Sequence, residues 1–292
     1  MMATHRAVIL GVTVLLGLAH PVLGQGPVVD VGAAERQGIH GSSKPPVEPG
    51  TEPAMVTVVA GAEYGASSFR RLLLGDGHRE VWATPVSVPV LQLADIDGGL
   101  APVEQGGGNQ SITLQLVAPS GREYIFRSVD KHLDQGFPDG LKETFVGAQF
   151  QDVISALLPG GSVVVAELLD ATDILHVDPE LYVMADDSAL GEFRETFAGM
   201  LGTLELVPNE GEDGQLLFAG SNQIKGTEEF LADLDSSAVH QLNTRRFLKA
   251  RLFDFVINDS DRGGDQWRWA RYEEREGYRW EPIPRDRDWA FV

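Results

Sequence analysis

The stretch Ser111–Val129, SITLQLVAPSGREYIFRSV, decides the fold class of this chain. Two runs of β-branched and aromatic residues alternate with polar residues, and Pro119-Ser120-Gly121 separates the runs. This pattern predicts an antiparallel β-hairpin with a short turn. Because successive side chains of a strand point to opposite faces, Arg127 and Lys131 are expected on one face of the second strand.

The segments on either side of the hairpin predict more strands and one helix. Residues 80–93 alternate in part but contain prolines, which predicts an edge strand or two short strands. An amphipathic helix is predicted over about 141–158, with Pro159-Gly160 as its stop. Its predicted apolar stripe consists of Leu141, Phe145, Phe150, Val153, Ile154 and Leu157. Residues 162–168 and 180–186 are apolar runs, and we predict both as buried strands.

The pattern changes after Asp187. Apolar residues at helical spacing recur in three segments, 188–206, 227–234 and 244–257. A β-rich half with one helix, then a hinge, then an α-rich half is the order of a bilobal kinase-like fold. We therefore predict an α+β protein with a β-rich N-lobe over residues 56–186 and a helical C-lobe over residues 187–292.

The amino terminus predicts export. A short basic start, an apolar run and small residues near Gly24 make residues 1–24 a secretory signal peptide. Residues 25–55 are rich in Gly, Pro, Ser and Glu, which predicts a disordered linker. No later run approaches the ~18 apolar residues of a membrane span, so we expect a periplasmic or secreted protein without a transmembrane segment in the mature chain.

The composition narrows the class of partner. The 292 residues include 43 Asp and Glu against 23 Lys and Arg, a formal charge of -20, and no cysteine. This charge repels nucleic acid and anionic membranes and favours cations or basic partners, although it also serves solubility alone. Without disulfides, the exported chain must be stabilised by its core.

The segment Ile257–Trp269, INDSDRGGDQWRW, carries the clearest candidate chemistry. A calcium loop of the EF-hand type starting at Asp259 is one interpretation. It fits poorly, because Gly263 occupies the fifth position and Ala270 the twelfth, where a bidentate Glu belongs. A solvated turn between buried aromatic residues is another.

Phosphoryl transfer explains this segment better. A kinase catalytic loop needs an Asp as base and, five residues later, an amide that holds a metal ion, and Asp261 and Gln266 have that spacing. Asp286 and Asp288 follow after a predicted strand hairpin and supply a second metal ligand. Four of the five tryptophans surround these acids in the sequence, which predicts packed core. The alternative is a structural ion-pair corner with Arg262, Arg268, Arg285 or Arg287.

The first half supplies matching parts. Gly106, Gly107 and Gly108 precede the hairpin and offer backbone N–H groups to phosphates, although a flexible turn is the commoner use of such a run. Arg127 or Lys131 is the candidate phosphate-pairing cation. Glu143 or Asp152, on the predicted helix, is the candidate acid that orients this cation, and Asp152 is the better placed.

Several segments resemble one family of exported bacterial proteins, whose core is similar to the HipA-type and secretory-pathway atypical kinases. The resemblance covers nearly all of the chain from about Tyr64 onward and is carried by LLGDGHREVWATPVSVPVLQL, GGG, REYIFRSVDK, LGEFRETFAGMLG, DSDRGGDQWRWARY and PIPRDRDWAF.

The resemblance implies binding of ATP with Mg²⁺ or Mn²⁺ and transfer to an unknown protein or small-molecule acceptor. It implies Asp261 as base, Gln266 and Asp286 as metal ligands, and Arg127 or Lys131 toward phosphate. Family members have His at the position of Gly263. The resemblance implies that this His supports the catalytic loop, so Gly263 lacks that support. Because this chain ends soon after Asp286, we expect an incomplete C-lobe. Both features make a non-catalytic, pseudokinase-like envelope protein the alternative function.

Overall fold

A computed structural model describes residues 46, 53–107, 110–132, 144–209 and 218–292, without the side chains of Phe145, Val146 and Ala148. All of these residues belong to one compact unit, 38–292. The fold is mixed α+β, as predicted, with one large sheet, one smaller sheet and several helices.

The larger sheet has seven strands in the order β1-β2-β6-β7-β5-β4-β3. Only the pair β2–β6 is parallel, and the other described pairs are antiparallel. The strands are β1 (Met55–Val59), β2 (Pro85–Leu91), β3 (Ala101–Gly106), β4 (Thr113–Val117), β5 (Glu123–Ser128), β6 (Glu180–Met184) and β7 (Leu201–Leu206).

The smaller sheet is built around one long antiparallel hairpin. Its order is β8-β10-β11-β9, and β9 pairs parallel to β11. Three tryptophans of the hairpin are buried with Phe230, which stacks on Trp269 at 4.0 Å between ring centroids. The strands are β8 (Gln223–Lys225), β9 (His240–Leu242), β10 (Trp267–Glu274) and β11 (Gly277–Pro284).

Seven α-helices are described: α1 (Ser68–Leu74), α2 (Arg79–Ala83), α3 (Phe145–Asp152), α4 (Gly161–Leu169), α5 (Arg194–Phe197), α6 (Thr227–Ser236) and α7 (Thr244–Val256). A 3₁₀ turn, Val153–Ala156, continues α3. In the described residues, one stretch, Gln149–Leu169, is apolar and long enough to cross a membrane. It is weak evidence for a span, since it consists of two helices and a turn that contribute buried residues to the core.

The predicted hairpin is confirmed as β4 and β5. Leu114, Leu116, Tyr124 and Phe126 are buried on one face, because alternation brings all four to the core of the larger sheet. Strand 180–186 is confirmed as β6. Residues 80–93 differ from the prediction, since they begin in α2 and continue into β2, which pairs on both sides and is not an edge strand.

The predicted helix 141–158 is found as α3 and its 3₁₀ turn, and residues 141–143 lie outside the described residues. Its predicted apolar stripe is partly wrong, because Phe150 and Val153 are half exposed while Ile154 and Leu157 are buried. Residues 162–168 form α4 and not a strand. Val165, Ala166 and Leu169 are its buried side, and this helical spacing was hidden by the run of β-branched residues.

The second half is less helical than predicted. Helices α6 and α7 confirm two of the three segments. The third, 188–206, contains only a 3₁₀ turn and the four-residue α5 before β7, which lies between β6 and β5. Gly199, with φ of 77°, ends the helical part.

Candidate functional site

Two acids and two cations meet beyond the end of β11. Arg127, on β5, places its Nη1 3.6 Å from Oδ2 of Asp286. Lys131, just after β5, donates from its Nζ to Oδ2 of Asp288. Asp286 has a φ of 54°, in the left-handed region that costs energy for a residue other than glycine. The cations predicted on one face of β5 therefore face the predicted acid pair.

The surroundings shift the pKa values of the two acids in opposite directions. Burial, and next the charge of Asp288, raise the pKa of Asp286 to about 6, although Arg127 opposes this. Burial would also raise the pKa of Asp288, but the charge and hydrogen bond of Lys131 hold it below its usual value. Oδ1 of Asp286 is buried and has no hydrogen-bond partner in the described part of the chain. Carboxylate oxygens in this state are suitable ligands for a divalent cation.

Two small cavities adjoin the acids. Arg127, Lys131 and Asp288 line a cavity of about 30 Å³. Asp286 lines another, of about 20 Å³, together with Glu205. Each has room for one or two water-sized ligands.

Asp286→Asn is expected to stabilise the chain at neutral pH. A raised pKa means that the folded state favours the protonated acid, so ionisation of Asp286 lowers stability as pH rises from about 4 toward 6. Asn removes this cost, and we expect a gain on the order of 1–3 kcal/mol at pH 7.5, reduced by the lost attraction to Arg127. Urea unfolding at pH 7.5 and pH 4 measures it. The gain should vanish at pH 4, and an equal gain at both pH values would contradict the assignment.

The loop after α7 holds Asp261 and Gln266 together. Nε2 of Gln266 donates to Oδ2 of Asp261 at 3.3 Å, while its Oε1 accepts from the backbone N–H of Gly263 at 2.7 Å. The N–H of Arg285 donates to the carbonyl of Gln266 at 2.9 Å. The loop thus lies at the same end of the β10–β11 hairpin as Asp286, and a common cleft for Asp261 and Asp286 stays a prediction.

A buried ion-pair cluster stands beside this loop. Asp259 accepts from Arg262 at 2.5 Å, and Asp254, on α7, accepts from Arg287. Burial, and next the charge of Arg262, lower the pKa of Arg287 to about 10. Two of the arginines named for the alternative ion-pair corner, Arg262 and Arg287, are thus paired with Asp254 and Asp259 rather than with the candidate acids. The pairing of Asp259 with Arg262 also argues against the calcium-loop interpretation.

The other predicted site residues have different outcomes. Gly106 ends β3 and Gly107 follows with a φ of 118°, whereas Gly108 lies outside the described residues. Glu143 also lies outside them. The role predicted for Asp152 is wrong, because its carboxylate accepts hydrogen bonds from Arg79 at 2.8 and 2.5 Å instead of orienting Arg127 or Lys131.

One group of possible ligands was missed by the sequence analysis. Asp170, His176 and Asp178 bring their ligand atoms within 4.8 Å of one another. Their spacing, six residues and then two, was the available signal, but it lies in a loop without a known motif.

No protein-family model matches this chain, and a search of curated proteins finds no match.

Proposed function

We propose that this chain is a metal-dependent phosphotransferase with a kinase-like arrangement of groups, which uses ATP with Mg²⁺ or Mn²⁺. One observation carries the proposal: Arg127 faces Asp286 from the third strand of the meander β3–β4–β5. In protein kinases the phosphate-pairing cation lies on the third strand of the sheet, and an Asp of the second lobe holds the metal.

Two further features support the same arrangement. Gly106 and Gly107 lie at the turn between the first and second strands of the meander, where a glycine-rich loop covers phosphates in kinases. Asp261 and Gln266 lie at the same hairpin end as Asp286. The bilobal organisation, the export of the chain and an unknown protein or small-molecule acceptor are parts of this proposal.

Each residue has a role in this scheme. Asp261, which is exposed, would accept the proton of the attacking hydroxyl. Asp286 and Asp288, with Gln266, would hold the cation, and Arg127 and Lys131 would attract the phosphate oxygens. The bound cation would neutralise charge on the transferred phosphoryl group.

A non-catalytic binding protein is the second candidate, and specific contacts favour it. Oε1 of Gln266 is already bonded to the backbone of Gly263, and Lys131 is bonded to Asp288. The cavity that Arg127 and Lys131 line, about 30 Å³, has room for an ion and a water molecule but not for a nucleotide.

Two variants separate the roles. Asp286→Ala is expected to abolish metal-dependent binding of ATP, because it removes the acid that faces Arg127. Asp261→Ala is expected to leave binding within about threefold and to lower turnover by about 10²–10⁴-fold, the usual contribution of a general base. Calorimetry with Mg²⁺–ATP or Mn²⁺–ATP measures binding, and release of ADP measures turnover.

Asp265→Ala is the matched control, since Asp265 is an exposed acid of the same loop. It should leave both quantities unchanged. Equal loss of binding in Asp261→Ala and Asp286→Ala would contradict the assigned roles. Binding without turnover in the parent chain would favour the non-catalytic function, and no binding of either nucleotide complex would refute the phosphotransferase.

A further inference from the structure

The loop between α4 and β6 brings together three side chains of types that ligate metals in proteins. Asp170 follows the last residue of α4, and His176 and Asp178 precede β6. The side chains of His176 and Asp178 are 10% and 13% exposed, whereas that of Asp170 is 57% exposed. The group therefore has a buried side and a side open to solvent.

The imidazole of His176 is oriented by the backbone. Its Nδ1 lies 2.9 Å from the carbonyl oxygen of Ile174, which can only accept a hydrogen bond, so Nδ1 carries the proton. In the neutral ring, Nε2 then has a lone pair. The nearest charged groups to this nitrogen are Oδ1 of Asp170 and Oδ1 of Asp178, which are acceptors as well. An N–H donated to a backbone carbonyl is the usual second contact of a histidine that binds a metal.

The distances fit ligands around one ion. Nε2 of His176 lies 3.3 Å from each of the two carboxylate oxygens. Direct charge-assisted hydrogen bonds are shorter, about 2.7–2.9 Å. Two ligands that bind Zn²⁺ tetrahedrally at about 2.0–2.1 Å are separated by about 3.3–3.4 Å. Two of the three spacings therefore match the edges of a zinc tetrahedron, and the third, between the two carboxylate oxygens, lies within 4.8 Å.

We propose that Asp170, His176 and Asp178 bind one Zn²⁺ ion, with Nε2 and two carboxylate oxygens as ligands and the fourth position open to water. The ion would link the end of α4 to the start of β6, which pairs with both β2 and β7 in the larger sheet. Such a link would tie a helix to the sheet in a chain that has no cysteine for a disulfide.

The competing state has a proton in place of the ion. Burial favours the neutral imidazole, but the hydrogen bonds to Asp178 and to the backbone carbonyl of Ile174, with the charges of Asp178 and Asp170, raise the pKa of His176 overall. A doubly paired imidazolium without affinity for zinc is thus the alternative that an experiment must distinguish.

The test uses untagged chain that has been treated with a chelator. Calorimetric titration with Zn²⁺ should show one site, and Asp170→Asn should weaken its affinity by about 100-fold or more. Loss of a residue that only hydrogen-bonds to a metal ligand already lowers metal affinity by about 10–100-fold. Asp170 is the chosen position because its exposure makes the variant safe for folding. Asp173→Asn, in the same loop and also exposed, is the matched control and should bind Zn²⁺ as the parent chain does.

A second measurement reports on the histidine itself. On addition of Zn²⁺ the ¹⁵N resonance of Nε2 in His176 should shift to the range of a metal ligand while Nδ1 stays protonated, and Co²⁺ should give the intense visible spectrum of a four-coordinate ion. An unchanged Nε2 resonance, or Zn²⁺ binding that survives Asp170→Asn and is lost in Asp286→Ala, would overturn the proposal. Neither result depends on phosphotransfer.

Discussion

Asp152→Ala is expected to destabilise the chain by about 3–5 kcal/mol, the usual cost of breaking a buried ion pair by removing one partner. The carboxylate of Asp152 is 8% exposed, and the guanidinium of Arg79 that bonds it is 1% exposed. Two nitrogens of Arg79 donate to the two oxygens of Asp152, at 2.8 and 2.5 Å. Without the acid, Arg79 stays buried with its charge uncompensated, apart from two bonds to backbone carbonyls.

Urea unfolding at pH 7 measures the loss. Asp76→Ala is the matched control, because Asp76 pairs with Arg71 at the surface with 75% of its side chain exposed, and such pairs contribute about 1 kcal/mol or less. The double variant Arg79→Leu with Asp152→Leu should recover much of the stability, since it leaves no buried charge. A loss of less than about 1 kcal/mol in Asp152→Ala would contradict the buried pair.

The Arg79–Asp152 pair also makes the stability of the chain depend on pH. The hydrogen bond from Arg79 is the largest cause that lowers the pKa of Asp152 below its usual value. Stability from a lowered acid pKa is present above the unfolded value, about 3.9, and is lost as pH falls through the folded value. The difference between parent chain and Asp152→Asn should therefore persist from pH 8 to pH 5 and shrink only in stronger acid.

The pair also shows where sequence analysis fails. Asp152 and Arg79 are 73 residues apart, and nothing local marks them as partners, so Asp152 was assigned to the nearer cations of β5. The hairpin β4–β5 was predictable because its turn and alternation are local. Alternation also placed Arg127 and Lys131 on one face. Their pairing with Asp286 and Asp288 was not predicted, because Lys131 and Asp288 are 157 residues apart and nothing local links them.

Long-range pairing explains the errors in the fold. β7 has the short sequence LGTLEL, and its identity as a strand depends on β5 and β6, which flank it in the sheet. In α4 the run of three valines favours a strand by propensity, yet packing of its buried side decides for a helix. Tertiary contacts outweigh local preference in both segments.

Asp254→Ala is expected to produce the second large effect, a loss of about 3–5 kcal/mol together with weaker cation binding at Asp286 and Asp288. Asp254 is 2% exposed and accepts hydrogen bonds from Arg287 and, at 2.8 Å, from Arg251. Arg287 is itself 5% exposed, and burial already lowers its pKa to about 10.

The expected effect on cation binding follows from the position of Arg287 in the sequence. Arg287 lies between the two acids, so its bond to Asp254 fixes the segment that carries both. In the described part of the chain, Nε and Nη2 of Arg287 are buried without a hydrogen-bond partner, which leaves Asp254 as its main support. Loss of that support should move Asp286 away from Arg127 as well as lower stability.

Urea unfolding and calorimetry with Mg²⁺–ATP on the folded fraction measure the two effects. Asp173→Ala is the control, because Asp173 pairs with Lys249 at the surface and should change stability by about 1 kcal/mol or less. Asp254→Asn should retain part of both properties, since its amide oxygen still accepts from Arg287. If stability falls while cation affinity stays at the parent value, Arg287 supports only the core and does not position the acid pair.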